Sequence, residues 1–72
     1  MDNLELPKNT PICLLEDIPS LAISYMRIPV GTKGYIVDYE RHPIDNEIIG
    51  YYANIYGIYF EEYIYLDRWE FK

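Results

Sequence analysis

The sequence predicts a small all-β domain, a barrel of about five short antiparallel strands. Three observations support this prediction. Short segments rich in Ile, Val, Tyr and Phe recur along the chain, and none repeats its apolar residues with the period of a helix. Glycines, prolines and charged residues separate these segments. The chain has 72 residues, which is enough for one domain with a small core.

The first strand is predicted over residues 10–16, which are mostly apolar or branched. Pro11 and Pro19 bracket it, and a strand near a sheet edge tolerates the N–H group that proline lacks. Residues 1–9 are expected to form an N-terminal leader. The barrel is therefore expected to span residues 10–72.

Residues 18–29 follow neither the helical nor the strand period. Prolines at 19 and 29 leave little room for a helix, so a long loop or a single helical turn is expected here. Gly31 and Gly34 then predict a tight turn that enters a strand through a kink or bulge, because glycine adopts positive φ without penalty.

The next strand is predicted from Tyr35 to Glu40. Strict alternation would place Ile36 and Asp38 on one face of this strand. Tyr35, Val37 and Tyr39 would then lie on the other face. Residues 41–47 are charged and rich in turn formers, so an exposed loop is expected there.

The last third of the chain has the clearest strand pattern. Alternation would place Tyr56, Ile58 and Phe60 together on the core face, and residues 61–62 would close a hairpin. The following segment alternates again, with Ile64 and Leu66 as core candidates. A short 3-10 turn is expected over residues 67–69, and Phe71 is expected to close the fold.

Four segments carry a resemblance to a known fold family, namely Leu14–Pro19, Val30–Asp38, Tyr56–Phe60 and Tyr65–Phe71. In this order they resemble the SH3-like barrels of small bacterial proteins, including KOW-like domains and short uncharacterised domains of similar build. The resemblance covers residues 10–72 and implies an SH3-like barrel. KOW-like domains often contact RNA or ribosomal protein, whereas the motifs of peptide-binding SH3 domains are not found.

The net charge is −6, with twelve acidic and six basic residues. Nucleic-acid binding depends on Lys and Arg to neutralise phosphates, so this charge disfavours direct contact with nucleic acid and also with anionic membranes. Cys13 is the single cysteine, and we expect it to pack as a small hydrophobic residue. A small domain without a disulfide indicates a reducing compartment, so a cytoplasmic location is expected.

The sequence predicts no catalytic site, no metal site and no cofactor. His42 is the single histidine and lies in the charged loop, where a solvated side chain is expected. The acidic pairs at 16–17 and 61–62 are typical of turns, because neighbours in a strand point to opposite faces. The segment 31–34 lacks the spacing of a phosphate-binding loop.

The tyrosines of the last third are the strongest functional signal. Tyr59, Tyr63 and Tyr65 are expected on an outer face, flanked by Glu61 and Glu62. Tyrosine is enriched at binding hot spots, so these five residues are candidates for contact with a protein partner of basic character. Cross-strand stacking that only stabilises the sheet is the alternative explanation for the tyrosines.

Two functions follow as hypotheses. The first is a non-enzymatic protein-interaction module that docks through its tyrosines. The second is an acidic inhibitor or decoy, of the kind found in phage anti-defence and immunity proteins, that blocks a basic nucleic-acid-binding protein. A nucleic-acid-binding barrel with stacked aromatics is disfavoured by the charge. The sequence leaves the partner and the oligomeric state open.

Overall fold

The structure is a computed structural model that describes residues 6–57 and 59–72. The described residues form six short strands and a single 3-10 turn, so the all-β prediction is confirmed. The 3-10 turn lies at Arg68–Glu70, one residue later than predicted, with Asp67 as its N-cap. The strands are β1 Pro11–Cys13, β2 Ile18–Pro19, β3 Arg27–Ile28, β4 Lys33–Arg41, β5 Ile48–Tyr56 and β6 Glu61–Leu66.

The strands form two antiparallel sheets, a four-stranded sheet in the order β1-β4-β5-β6 and a two-stranded sheet of β2 and β3. Within the described residues β6 does not pair with β1, so the sheet is not closed into the predicted barrel of about five strands. The 3-10 turn follows β6 and redirects the chain. After this turn the chain runs back beside the segment that follows β1, where Leu14 and Phe71 form an isolated antiparallel bridge.

The stretch 18–29 contains paired strands, and the expectation of a loop or helical turn for the whole stretch was wrong. Ile18 pairs with Ile28, and Pro19 pairs with Arg27. Pro19 is tolerated because both strands of a two-stranded ribbon are edge strands, where the N–H group that proline lacks can face away from the partner strand. Both isoleucines are buried, so this ribbon contributes to the same core as the larger sheet.

A β-bulge in β4 overturns the prediction that Ile36 and Asp38 share a face. The register shifts between these residues, since Ile36 pairs with Ala53 and Asp38 pairs with Tyr52. Val37 is the extra residue, and one extra residue exchanges the two faces of the strand beyond it. Ile36 is consequently buried in the core, whereas Asp38 is exposed on the opposite side.

The alternation in β6 is confirmed, because Ile64 and Leu66 are both buried. The prediction that residues 61–62 close a hairpin was wrong, since they begin β6. The turn comes earlier, where the N–H of Gly57 donates to the carbonyl of Phe60 at 3.0 Å. Ile58, a predicted core residue, lies outside the described residues.

The core lies between the inner side of the four-stranded sheet and the β2–β3 ribbon. Cys13 does not belong to it and is half-buried, because alternation in β1 turns its neighbours inward and Cys13 outward. The described residues contain no helix with the length and hydrophobicity that crossing a bilayer requires. The buried apolar residues are Ile12, Leu14, Ile18, Ile28, Ile36, Ile48, Tyr51, Ala53, Ile55, Ile64, Leu66 and Phe71.

Candidate functional site

The outer side of the sheet, opposite the core, carries a group of tyrosines that we call the tyrosine face. Alternation over residues 52–56 of β5 and along β6 turns the apolar residues inward and the tyrosines outward. The register then places tyrosines of different strands side by side, for example Tyr52 opposite Tyr65. The tyrosine face consists of Tyr35, Tyr52, Tyr56, Tyr63 and Tyr65.

The rings of the tyrosine face contact one another. Tyr52 lies at the centre, stacked parallel to Tyr63 with ring centroids 5.6 Å apart and an interplanar angle of 3°. Tyr65 meets the same ring edge-on, with centroids 5.4 Å apart. Tyr35 and Tyr56 form a second, tilted pair at 6.1 Å. Aromatic pairs in these geometries add stability beyond their buried area, so the face is an ordered surface.

Hydrogen bonds fix the phenol groups at both ends of the tyrosine face. Tyr52 donates its hydroxyl proton to Glu40 Oε1 at 2.8 Å, and Tyr35 donates to Glu61 Oε1 at 3.1 Å. The Asn54 amide in turn donates to the Tyr35 hydroxyl at 3.0 Å. Glu40 lies at the Gly50 end of β5, whereas Glu61 pairs with Tyr56 at the other end. A carboxylate therefore stands at each end of the face.

Gly50 allows Tyr65 to lie flat on the sheet. A Cβ atom at Gly50 would overlap the phenol ring of Tyr65, so any larger residue would displace this ring. The Tyr65 hydroxyl donates to the carbonyl of Ile49 at 3.2 Å, which holds the ring over the glycine. Close approach of this kind is one of the positional uses of glycine in a strand.

Two tyrosines of the face have perturbed acidity. The pKa of Tyr52 is raised above its ordinary value, chiefly by its hydrogen bond to Glu40 and then by burial and the charge of that carboxylate. The pKa of Tyr65 is also raised, first by burial and then by the charges of Asp67 and Glu40. Both phenols consequently keep their protons further into the alkaline range than an ordinary tyrosine does.

The sequence-predicted site residues fall in three places. Tyr63 and Tyr65 lie on the tyrosine face, 51% and 42% exposed, and Glu61 lies at its end. Tyr59 is 75% exposed but precedes β6 in the turn, so it does not belong to the ordered face. Glu62 was expected beside the tyrosines, whereas it points to the inner side and is only 6% exposed.

The burial of Glu62 has a structural explanation. Its carboxylate accepts a hydrogen bond from the Ser20 hydroxyl at 2.7 Å and another from the N–H of Leu21 at 2.9 Å. A buried carboxylate is tolerated when donors replace the water that it loses. Glu62 therefore connects β6 to the β2–β3 ribbon and is not available to a partner on the outer face.

Sequence reasoning missed several members of the site. Tyr35 and Glu40 were not singled out, Tyr52 was counted among the clustered tyrosines but not assigned to the outer face, and Tyr56 was placed in the core together with Phe60. Tyr56 is 50% exposed because it continues the outward phase of Tyr52 in β5, whereas Phe60, 52% exposed, lies in the turn beyond that strand. The signal that could have found Tyr52 and Tyr56 is their spacing, which puts both residues on one face of β5.

The other candidates for chemistry lie away from the tyrosine face. His42 accepts the N–H of Ile44 through Nδ1 at 3.2 Å. This contact stabilises the turn between β4 and β5. In the part of the chain that the structure describes, no three His, Cys, Asp or Glu residues are grouped to hold a metal ion.

No protein-family model matches the chain, and neither curated proteins nor solved structures provide a match. The comparisons therefore assign no family to the chain. The SH3-like resemblance stays a prediction, and the function has to be argued from the chemistry of the tyrosine face.

Proposed function

We propose that the chain is a non-enzymatic protein-binding module that docks a basic segment of a partner protein on its tyrosine face. One observation carries the proposal: the rings of the face contact one another, and a carboxylate stands at each end. Tyrosine and a ring of polar groups around it are typical of binding hot spots. Cross-strand stacking alone would not require carboxylates at both ends.

The tyrosine face is suited to binding because its rings are already ordered. Tyr35, Tyr52 and Tyr65 each donate a hydroxyl hydrogen bond within the chain, so their rotamers are restricted before a partner arrives. Ordering a free side chain on binding costs about 0.5–1.5 kcal/mol, and this cost is largely avoided here. Tyr56 and Tyr63 are half-exposed and would supply much of the buried area.

The charge of the face determines the kind of partner. Glu40 and Glu61 attract cations, and the faces of tyrosine rings also attract Lys and Arg through the cation–π interaction. The net charge of −6 adds a long-range attraction for a basic partner. The single cysteine is consistent with such a module acting in the cytoplasm.

We also infer that the fold is SH3-like in its order of elements, as an open sheet whose C-terminal residues return to β1 without closing a barrel. The support is the order of elements, in which the 3-10 turn follows the last strand of the sheet and precedes the bridge between Leu14 and Phe71. Beside this bridge, Cys13 and Lys72 exchange two backbone hydrogen bonds of 2.7 and 2.9 Å. These contacts bring the end of the described chain back to β1.

The test compares the variant Tyr63→Ala with the variant Tyr25→Ala. Tyr63 lies on the tyrosine face, whereas Tyr25 is 87% exposed in the β2–β3 connection and serves as a matched control. Immobilised chain is used to capture partners from lysate of the source cell, and each purified partner is then titrated by calorimetry. The partner should lose about 2 kcal/mol of binding free energy with Tyr63→Ala and almost none with Tyr25→Ala.

Salt dependence separates docking on the tyrosine face from the acidic decoy. Docking on the tyrosine face should weaken only moderately when salt is raised, because buried rings supply part of its binding free energy, whereas decoy binding to a nucleic-acid groove should weaken steeply. Equal losses from the two tyrosine variants would contradict the proposed function. A basic nucleic-acid-binding partner that is lost at high salt and indifferent to Tyr63→Ala would favour the decoy.

A further inference from the structure

β6 is an edge strand. β5 pairs along one side of it, and within the described residues no strand pairs along the other side. Apart from the pairing with β5, no backbone hydrogen bond from another described segment reaches Glu61–Leu66. Alternate N–H and C=O groups of an edge strand point away from its neighbour, where a further strand could bind them. β6 therefore offers six residues of regular backbone to an added strand.

The other edge of the sheet is protected, in contrast to β6. β1 has only three residues, begins with Pro11, and ends at Cys13, which exchanges backbone hydrogen bonds with Lys72. β6 contains neither proline nor lysine, and its pairing with β5 has no register shift. Natural proteins block exposed edges with short strands, proline, bulges and charged side chains, and of these devices β6 has only the two glutamates at its start.

We infer that β6 accepts an extended segment of a partner protein as an added strand, and that this segment carries Arg or Lys at every second position. The inference rests on the proposed function and names how the basic segment is held. Alternate side chains of the added strand would lie next to Glu61, Tyr63 and Tyr65 on the outer side of the sheet. A carboxylate and two tyrosine rings together attract cationic side chains.

The side chains between these basic positions would face the inner side. There they would lie beside Ile64 and Leu66, which are both buried among apolar residues. Small or β-branched apolar side chains fit such positions. Main-chain hydrogen bonds give affinity in this mode of recognition, and the alternating side chains give specificity.

A second copy of the chain is a poorer occupant of the same edge. Each copy carries a net charge of −6, so two copies repel each other. β6 itself contains two glutamates and no basic residue, so pairing β6 with β6 would bring no cation to the tyrosine face. Charge complementarity therefore favours a basic segment over self-association.

The experiment uses the whole chain and three synthetic peptides. The parent peptide alternates arginine and valine over about eight residues and has blocked termini. Two further peptides have the same sequence but carry N-methyl groups on every arginine or on every valine. These peptides keep the charge and the side chains, and each lacks the N–H groups of one strand edge.

The parent peptide should bind and should protect backbone amides of β6 from hydrogen exchange. One of the two N-methylated peptides should bind at least about tenfold more weakly, because it cannot donate to β6, and the other should keep its affinity. Equal binding of all three peptides would overturn strand addition while leaving docking through side chains intact. Dimerisation of the chain alone through β6, seen by sedimentation and amide protection, would also overturn it.

Discussion

The hydroxyl of Ser20 donates a 2.7 Å hydrogen bond to the buried carboxylate of Glu62, and this contact joins the β2–β3 ribbon to edge strand β6. The Ser20 oxygen also accepts the N–H groups of Ala22 and Ile23, at 3.2 and 3.0 Å. The same hydroxyl therefore holds the backbone at the start of the β2–β3 connection, and its hydrogen bond offsets part of the desolvation free energy of the buried Glu62 carboxylate.

Replacing Ser20 by alanine should destabilise the fold. Ser20→Ala removes one donor from a buried carboxylate, and leaving such a group less satisfied costs about 1–3 kcal/mol. The free energy of unfolding in urea measures the loss. Ser24→Ala is the matched control, because Ser24 is exposed in the same connection and should cost about 0.5 kcal/mol or less. Equal losses in the two variants would show that the contact with Glu62 contributes nothing.

The inward position of Glu62 could have been predicted from the sequence. Ile64 and Leu66 were assigned to the core, and a residue two positions earlier in the same strand shares their face. The charge of Glu62 instead favoured an exposed position. Its hydrogen-bond partner Ser20 lies 42 residues away in the sequence, in a stretch whose apolar residues have no clear period. Alternation thus determines the face of a residue, whereas its partner depends on a tertiary contact that no local pattern contains.

Truncation of the core in β6 should be severe for so small a domain. Ile64 is 3% exposed, and Ile64→Ala should cost about 2–5 kcal/mol through lost burial and the cavity that remains. Ile44, in the β4–β5 connection, is 88% exposed, so Ile44→Ala should change stability by about 0.5 kcal/mol or less. Thermal unfolding followed by circular dichroism compares the two. A similar melting temperature for both variants would contradict the assignment of Ile64 to the core.

Gly34 is required by the close packing of β4 on β5. A Cβ atom there would overlap the carbonyl oxygen of Asn54 and the side chain of Ile55. A backbone atom cannot move aside as a side chain can, so Gly34→Ala should cost at least about 1–3 kcal/mol. Urea unfolding measures this loss.

Gly31→Ala is the control for Gly34→Ala. Gly31 has a φ of 91° but open space around its Cβ position, so alanine there should cost only backbone strain of about 1–2 kcal/mol. The two-glycine turn was predicted from the sequence, and the structure separates the two roles. A larger loss of unfolding free energy in Gly31→Ala than in Gly34→Ala would contradict the prediction. It would show that the strands move apart easily enough to relieve the overlap with the Asn54 carbonyl oxygen.

The tyrosine face could be predicted only in part. Tyr63 and Tyr65 follow from the alternation of β6, which runs without interruption. Tyr35 was placed correctly on the face opposite Ile36, but its position beside Tyr56 depends on the pairing of β4 with β5, which the sequence of β4 alone does not contain. Tyr56 was assigned to the wrong side because the pattern continued past the end of β5. Errors of this kind arise where one strand's phase is carried across an irregularity.

The raised pKa of Tyr52 makes stability depend on pH in the alkaline range. In the unfolded chain its phenol ionises with the ordinary pKa of 10.0, whereas in the folded chain the hydrogen bond to Glu40 holds the proton more tightly. Below that pH both states keep the proton, and the contribution to stability is complete. As the pH rises through the folded pKa, the unfolded state ionises first and the stability is lost. Tyr65 has a raised pKa as well and adds to the same trend.

The variant Tyr52→Phe should therefore lose less stability than the wild type when the pH rises from about 8 to about 11. Urea unfolding at several pH values gives the two slopes, and the phenolate absorbance of the folded wild type should show ionisation delayed above the ordinary value. Glu40→Gln is the informative companion, because the amide oxygen still accepts the phenol proton but carries no charge, so the pKa of Tyr52 should fall towards normal. If all three proteins lose stability with the same slope, the hydrogen bond between Tyr52 and Glu40 does not control the acidity of that phenol.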